Sequence, residues 1–197
     1  MIGSVLDDGE SKPAPGTLRL VQAFVNTRDP YHDSEYLTDS DSLQSWMHSA
    51  SLLEESAEAS EEDLAVALEL REALRALLIT HNGGQSPPQA GHDLNRLASM
   101  LPLEVRFDAG ERAGVARPAS TVRGALGAIL GLVLYADASG VWERLKACAN
   151  PGCRWVFYDS SKNRAGNWCR MSACGNQAKS RAHRERMRNL GNEPDGS

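Results

Sequence analysis

Apolar positions along the first 140 residues recur mostly at helical spacing. Leu18, Leu20, Val21, Phe24 and Val25 predict a first helix that ends near Asn26. The run SDSLQSWMHSASLL (residues 40–53) predicts a second, with Asp41 as its cap. The clearest pattern is SEEDLAVALELREALRALLITH (residues 60–81), where Ala67, Leu70, Leu74 and Leu77 share one face. Ser60 is its N-cap candidate, acidic residues fill its first turn, and Asn82-Gly83-Gly84 ends it. PPQAGHDLNRLASM (87–100) predicts a shorter helix, and LEVRFDAGERAGVARP (103–118) a hairpin turning at Asp108 to Arg112. STVRGALGAILGLVLYADA (120–138) is apolar nearly all round, which predicts a buried central helix. Gly124, Gly127 and Gly131 would let neighbouring helices approach closely. No internal repeat is visible.

The last quarter of the chain reads differently. All four cysteines lie there, as Cys148-x4-Cys153, fifteen residues, then Cys169-x4-Cys174. Asn150, Pro151 and Gly152 make a tight turn that aims the first two sulfurs at one point. Trp155 to Tyr158 is an aromatic, β-prone run and predicts a strand. SSKNRAGN (160–167) is a loop, Asn167-Trp168 starts a returning strand, and Cys174 opens a helix that stops at Gly191. Knuckle, hairpin, then a ligand at a helix start is the order of a treble-clef zinc finger.

Charge sharpens this division. The chain of 197 residues carries a formal net charge of −5. Residues 145–197 hold ten Lys/Arg against four Asp/Glu, and the first 144 hold eleven against twenty-two. A basic segment on an acidic body suggests two parts with different partners. The longest apolar stretch, Ala125 to Ala136, is shorter than the roughly 20 residues a membrane helix needs. Residues 1–16 lack the apolar run of a signal peptide. A soluble, cytoplasmic protein with flexible tails at 1–16 and 191–197 is expected, and no membrane contact.

Four thiolates satisfy a tetrahedral zinc ion, and two close cysteine pairs with this separation have the spacing of a zinc site. Disulfides do not suit a chain without a secretory signal, and a redox dithiol more often shows C-x-x-C. A catalytic zinc keeps an open position, which four cysteines deny it. One structural zinc per chain is therefore expected at Cys148, Cys153, Cys169 and Cys174. Catalytic constellations are otherwise absent from the sequence: His32, His48, His81 and His92 are scattered, and NGG at 82–84 lacks the Lys-Ser/Thr of a phosphate loop. His183, beside a complete ligand set, reads as a solvated or phosphate-facing residue. No enzyme is expected.

The segment CANPGCRWVFYDSSKNRAGNWCRMSACGNQAKSRAHRER (148–186) closely resembles the CGNR zinc-finger family, found at the C-terminus of bacterial transcription regulators. Both cysteine pairs, Trp155, Phe157, Asp159, Ser161, Trp168, Met171 and the CGN run carry the match. LVQAFVNTRD (20–29), Trp46 and Leu70 to Glu72 resemble the ABATE domain that precedes the finger in that family. The family's Arg is replaced by Gln177, and Ala165, Gly166 and Asn167 stand where basic residues are often found. The resemblance implies a mainly α protein with a small β-hairpin: a helical regulatory domain over 17–140 and a treble-clef-like zinc finger over 141–190.

It also implies double-stranded DNA as partner and a helical domain that senses a small-molecule effector or mediates assembly. Asn26, Thr27 and Arg71, which fall in the matching segments, are candidates for that effector's pocket; capping by Asn26 and Thr27 and a surface pair for Arg71 are the plainer alternative. For nucleic acid, the candidates are Lys162, Arg164, Gln177, Lys179, Arg181, Arg184 and Arg188. At 100° per residue Gln177, Arg181, Arg184 and Arg188 form one stripe of the last helix, with Lys179 and Arg186 opposite. Gln177 is placed to read an adenine edge and the arginines to meet phosphates. The competing reading is a zinc-stabilised adaptor for protein or RNA.

Overall fold

The computed structural model describes residues 12–107, 110 and 113–190. The predicted tail at 191–197, residues 1–11 of the other tail and most of the turn predicted at 108–112 lie outside the described residues. Among the described residues the order is α1 (Leu18–Val25), β1 (Arg28–Asp29), β2 (Ser34–Glu35), α2 (Ser40–Ser49), α3 (Glu61–Thr80), α4 (Ala90–Met100), β3 (Val105–Phe107), β4 (Ala113–Val115), α5 (Val122–Ala138), β5 (Leu145–Ala147), β6 (Val156–Tyr158) and α6 (Asn176–Leu190). A 3-10 turn (Trp142–Arg144) precedes β5, and a π-helical turn (Met171–Gly175) leads into α6. The strands form three antiparallel pairs: β1 with β2, β3 with β4, and β5 with β6.

Local chemistry sets the helix ends. Ser60 and Asp63 close a reciprocal capping box on α3, and Glu61, Glu62 and Asp63 face its positive end. Gly83 ends it in the left-handed region at φ +72°. α2 is capped by Asp39, not Asp41. Asp39 is extended, accepts from the Ser42 amide and returns a bond to the Ser42 side chain, whereas Asp41 lies inside the first turn.

Gly127 and Gly131 of α5 let the segment after α4 and strand β4, rather than a neighbouring helix, approach closely. A Cβ on Gly127 would lie 1.9 Å from the Pro102 carbonyl oxygen, and one on Gly131 would meet Leu103 and Val115. Burial fails at its far end, where Leu134 and Tyr135 are exposed. The apolar pattern therefore overstates how completely this helix is enclosed.

The interior runs from Phe24, Leu43 and Met47 through Leu70, Leu74, Leu126 and Ile129 to Leu145, Ala147 and Val156. The β5–β6 pair, which leads into and out of the first cysteine pair, thus shares a core with the helices. Side chains of the helical part also bind its backbone. The Asn26 amide donates to the Val156 carbonyl (2.9 Å) and accepts from the Val156 N–H (2.8 Å), completing the strand edge as a neighbouring strand would. Gln22 donates to the same carbonyl, Arg75 to that of Arg154, and Asn82 to those of Ala147 and Asn167.

Candidate metal centre and basic helix

β5 delivers Cys148 and β6 leaves from Cys153, so the strand pair folds about the first cysteine turn. The turn closes through Cys148 N–H to Trp155 O and Cys153 N–H to Asn150 O, both 2.9 Å. The returning strand predicted at Asn167-Trp168 does not form. β6 instead pairs with Leu145–Ala147, in register Lys146 to Phe157. Residues 159–170 are an irregular loop, and the π-helical turn carries Cys174 into the start of α6.

The four sulfurs lie within 4.8 Å of one another, and all four cysteines are buried. Cys153 and Cys169 Sγ are 3.6 Å apart, and Cys169 and Cys174 Sγ 3.9 Å. A tetrahedral zinc with bonds of about 2.3 Å requires sulfurs about 3.8 Å apart. The donor set fits that ion and leaves it no open position. Left to themselves, the thiols compete: hydrogen bonds with Cys153 and Cys169 pull the Cys148 thiol far down, while contact with Cys148 pushes Cys153 up and Cys169 up to about 12. Four thiolates at this spacing need a cation among them, which a dication would supply. An ion held there would tie the knuckle, the loop and the foot of α6 together.

Asn150, buried within the first turn, ties the centre to the helix. Its amide N–H donates to Cys174 Sγ (3.5 Å) and to Gln177 Oε1 (3.2 Å), and its carbonyl oxygen accepts from Arg181 (3.0 Å). A second hub fixes the loop. The buried Lys146 ammonium donates to Asp159 Oδ2 (2.9 Å) and to the carbonyls of Arg164 (2.5 Å) and Gly166 (3.3 Å). Burial alone would raise the Asp159 pKa, but bonds from Ser161, Lys146 and Gly166 outweigh it and hold the carboxyl well below its usual range. Gly166 is required, because a Cβ there would lie 2.8 Å from Asp159 Oδ1.

The predicted nucleic-acid residues divide in two. Arg164 pairs with Glu143 at 2.8 Å, and Gln177 donates to the Tyr31 hydroxyl at 3.0 Å while Arg181 binds Asn150. The start of the stripe therefore faces the body. Lys162, Lys179, Arg184 and Arg188 are exposed. His183 is exposed on α6 and has no part in the sulfur cluster.

Thr27 and Arg71 come together in a buried polar cluster. Arg71 donates to Thr27 Oγ1 (3.2 Å) and grips both oxygens of Glu35 (2.6 and 2.7 Å). Burial pushes the Glu35 carboxyl up, but Arg71 and the Leu37 amide bring it below its usual value. Asn26 turns away from this cluster, toward Val156. Sequence reasoning missed Lys146, Asn150 as a hub, and Tyr31. Lys146 stands alone in an apolar strand, LKAC, a pattern that a buried ammonium with a distant partner would leave.

Two family models match the chain. ABATE, described as "Putative stress-induced transcription regulator", matches residues 18–143, and the CGNR zinc finger matches 144–187. No curated protein matches it. Among the described residues no helix is long and apolar enough to cross a membrane. With the family model covering most of its length and the second meeting it at residue 144, the chain belongs to the ABATE family and carries a CGNR zinc finger behind the ABATE domain.

Proposed function

We propose that the protein is a cytoplasmic transcription regulator whose zinc-anchored α6 binds double-stranded DNA, and whose helical part receives a small-molecule or assembly signal. The observation that carries this reading is α6 itself. Every position whose side chain is described is exposed except the half-buried Ala178. The helix holds five Lys/Arg against one Glu. A polar helix of 15 residues sits at the edge of what persists alone in water, about 12–15 residues. Arg181, Arg184 and Arg188 stand three and four residues apart and repel one another. A polyphosphate partner relieves that repulsion and releases counterions.

In this reading zinc, Asn150, Gln177 and Arg181 hold the foot of the helix to the body. Lys179, Arg184 and Arg188 meet phosphates, with Lys162 on the neighbouring loop. No catalytic step is assigned to the chain. The test is a fluorescence-anisotropy titration of zinc-loaded protein with mixed-sequence duplex DNA. Binding should disappear when a chelator strips the zinc and return when zinc is restored. Absent duplex binding, with tight binding to structured RNA or to a protein, would replace this reading with the adaptor one.

A further inference from the structure

Three of the four cysteines do more than face the metal. Cys153, Cys169 and Cys174 also wall a cavity of about 110 Å3 on the outer side of the centre. Tyr31 and His32, from the β1–β2 turn, form its opposite side, with Trp155 and Ala173 between. Cys148 is not in the wall and is fully buried. A cavity of this size takes a molecule of a few heavy atoms, such as a peroxide.

We propose that this cavity admits hydrogen peroxide to the zinc thiolates and that Cys153 and Cys169 are the site of oxidation. Both line the wall, and their sulfurs are 3.6 Å apart, against 3.9 Å for Cys169 and Cys174. One thiolate sulfur attacks a peroxide oxygen, breaks the O–O bond and expels hydroxide, leaving a sulfenic acid. The second thiolate attacks that sulfur, forms the S–S bond and expels a second hydroxide. Two sulfurs lose two electrons, peroxide gains them, and two protons from solvent turn both hydroxides into water. Zinc, left with Cys148 and Cys174, departs, and those two sulfurs take up protons.

The consequence follows from how α6 is held. Its foot depends on Cys174 and on Asn150, which sits in the knuckle between Cys148 and Cys153. Losing the metal frees both anchors together. The inference rests on the zinc centre but not on DNA binding, so the two can fail separately.

The experiment treats the full-length, zinc-loaded chain with hydrogen peroxide. Zinc release is followed with a chromogenic chelator, and the products are alkylated and mapped by peptide mass spectrometry. The expected result is one zinc released per Cys153–Cys169 disulfide, with Cys148 and Cys174 alkylated, and recovery after reduction and added zinc. Ala173→Leu, which fills the cavity and keeps all four cysteines, should slow release at least about threefold at unchanged zinc content, because access limits attack. A first disulfide containing Cys148 or Cys174, sulfoxide at the exposed Met171 with zinc retained, or a release rate unchanged in Ala173→Leu would each overturn the proposal.

Discussion

Replacing Asp159 by Asn tests the hub that shapes the zinc-binding loop. The substitution keeps the size of the side chain and removes its charge. Lys146 and Asp159 are 5 % and 3 % exposed at their side chains, so the ammonium would remain in the interior without its counter-charge. Breaking a buried pair in this way costs about 3–5 kcal/mol, against about 0–1 kcal/mol for an exposed pair. The neighbouring Arg164–Glu143 pair, 44 % and 72 % exposed, provides the internal control. Urea denaturation with zinc in excess should show the larger loss for Asp159→Asn and less than about 1 kcal/mol for Glu143→Ala. Pairing Asp159→Asn with Lys146→Met should recover part of the loss, since the amide oxygen can still accept from Ser161 or Gly166 and no uncompensated charge stays buried.

The pH dependence has a definite sign. The folded-state pKa of Asp159 is depressed, so its contribution is full above the unfolded value of about 3.9 and is lost as pH falls toward the folded value. The gap between the native chain and Asp159→Asn should be flat near neutrality and narrow below about pH 4. A loss under about 1 kcal/mol at neutral pH would refute the reasoning, because it would mean that the pair is solvated.

Two further substitutions probe how the helical part holds the finger and itself. Asn26→Ala leaves the N–H of buried Val156 without a partner and its C=O with Gln22 alone, and thermal or urea unfolding should report a loss of about 1–3 kcal/mol. Gly127→Ala should cost about 1–3 kcal/mol by driving a methyl into the Pro102 carbonyl. Gly91→Ala, in α4 with nothing within 4 Å, should be neutral or stabilise by up to about 1 kcal/mol in the same assay.

What was legible in the sequence was what local periodicity and spacing encode. The stripe through Ala67, Leu70 and Leu74 marked α3 because one helix face carries the information, and the cysteine spacing marked the sulfur cluster because four soft ligands have few other uses. The strand partner of Val156–Tyr158 was misplaced for a physical reason. Leu145–Ala147 sits before the first cysteine, and the turn within the first cysteine pair was read only as a ligand holder, not as the hairpin's own turn. Asp39 lost to Asp41 because both are acidic and close to the helix start, and only the extended backbone at Asp39 decides which one caps. Lys146 with Asp159, and Asn26 with Val156, join residues 13 and 130 positions apart, so no local pattern reports them. Arg71 could be flagged as polar in an apolar helix, but its grip on Glu35 crosses 36 positions.

The central claim, that α6 is a phosphate-binding helix, is tested most directly by the salt dependence of duplex binding. The zinc-loaded chain and its Arg184→Ala, Arg188→Ala double variant should be titrated with the same DNA across a range of salt concentrations. Each phosphate contact contributes about 0.9 to the slope of log K against log salt, so the double variant should lose about 1.8 from the slope while its zinc content is unchanged. Identical slopes for the two proteins, or no duplex binding by the native chain at low salt, would contradict the account.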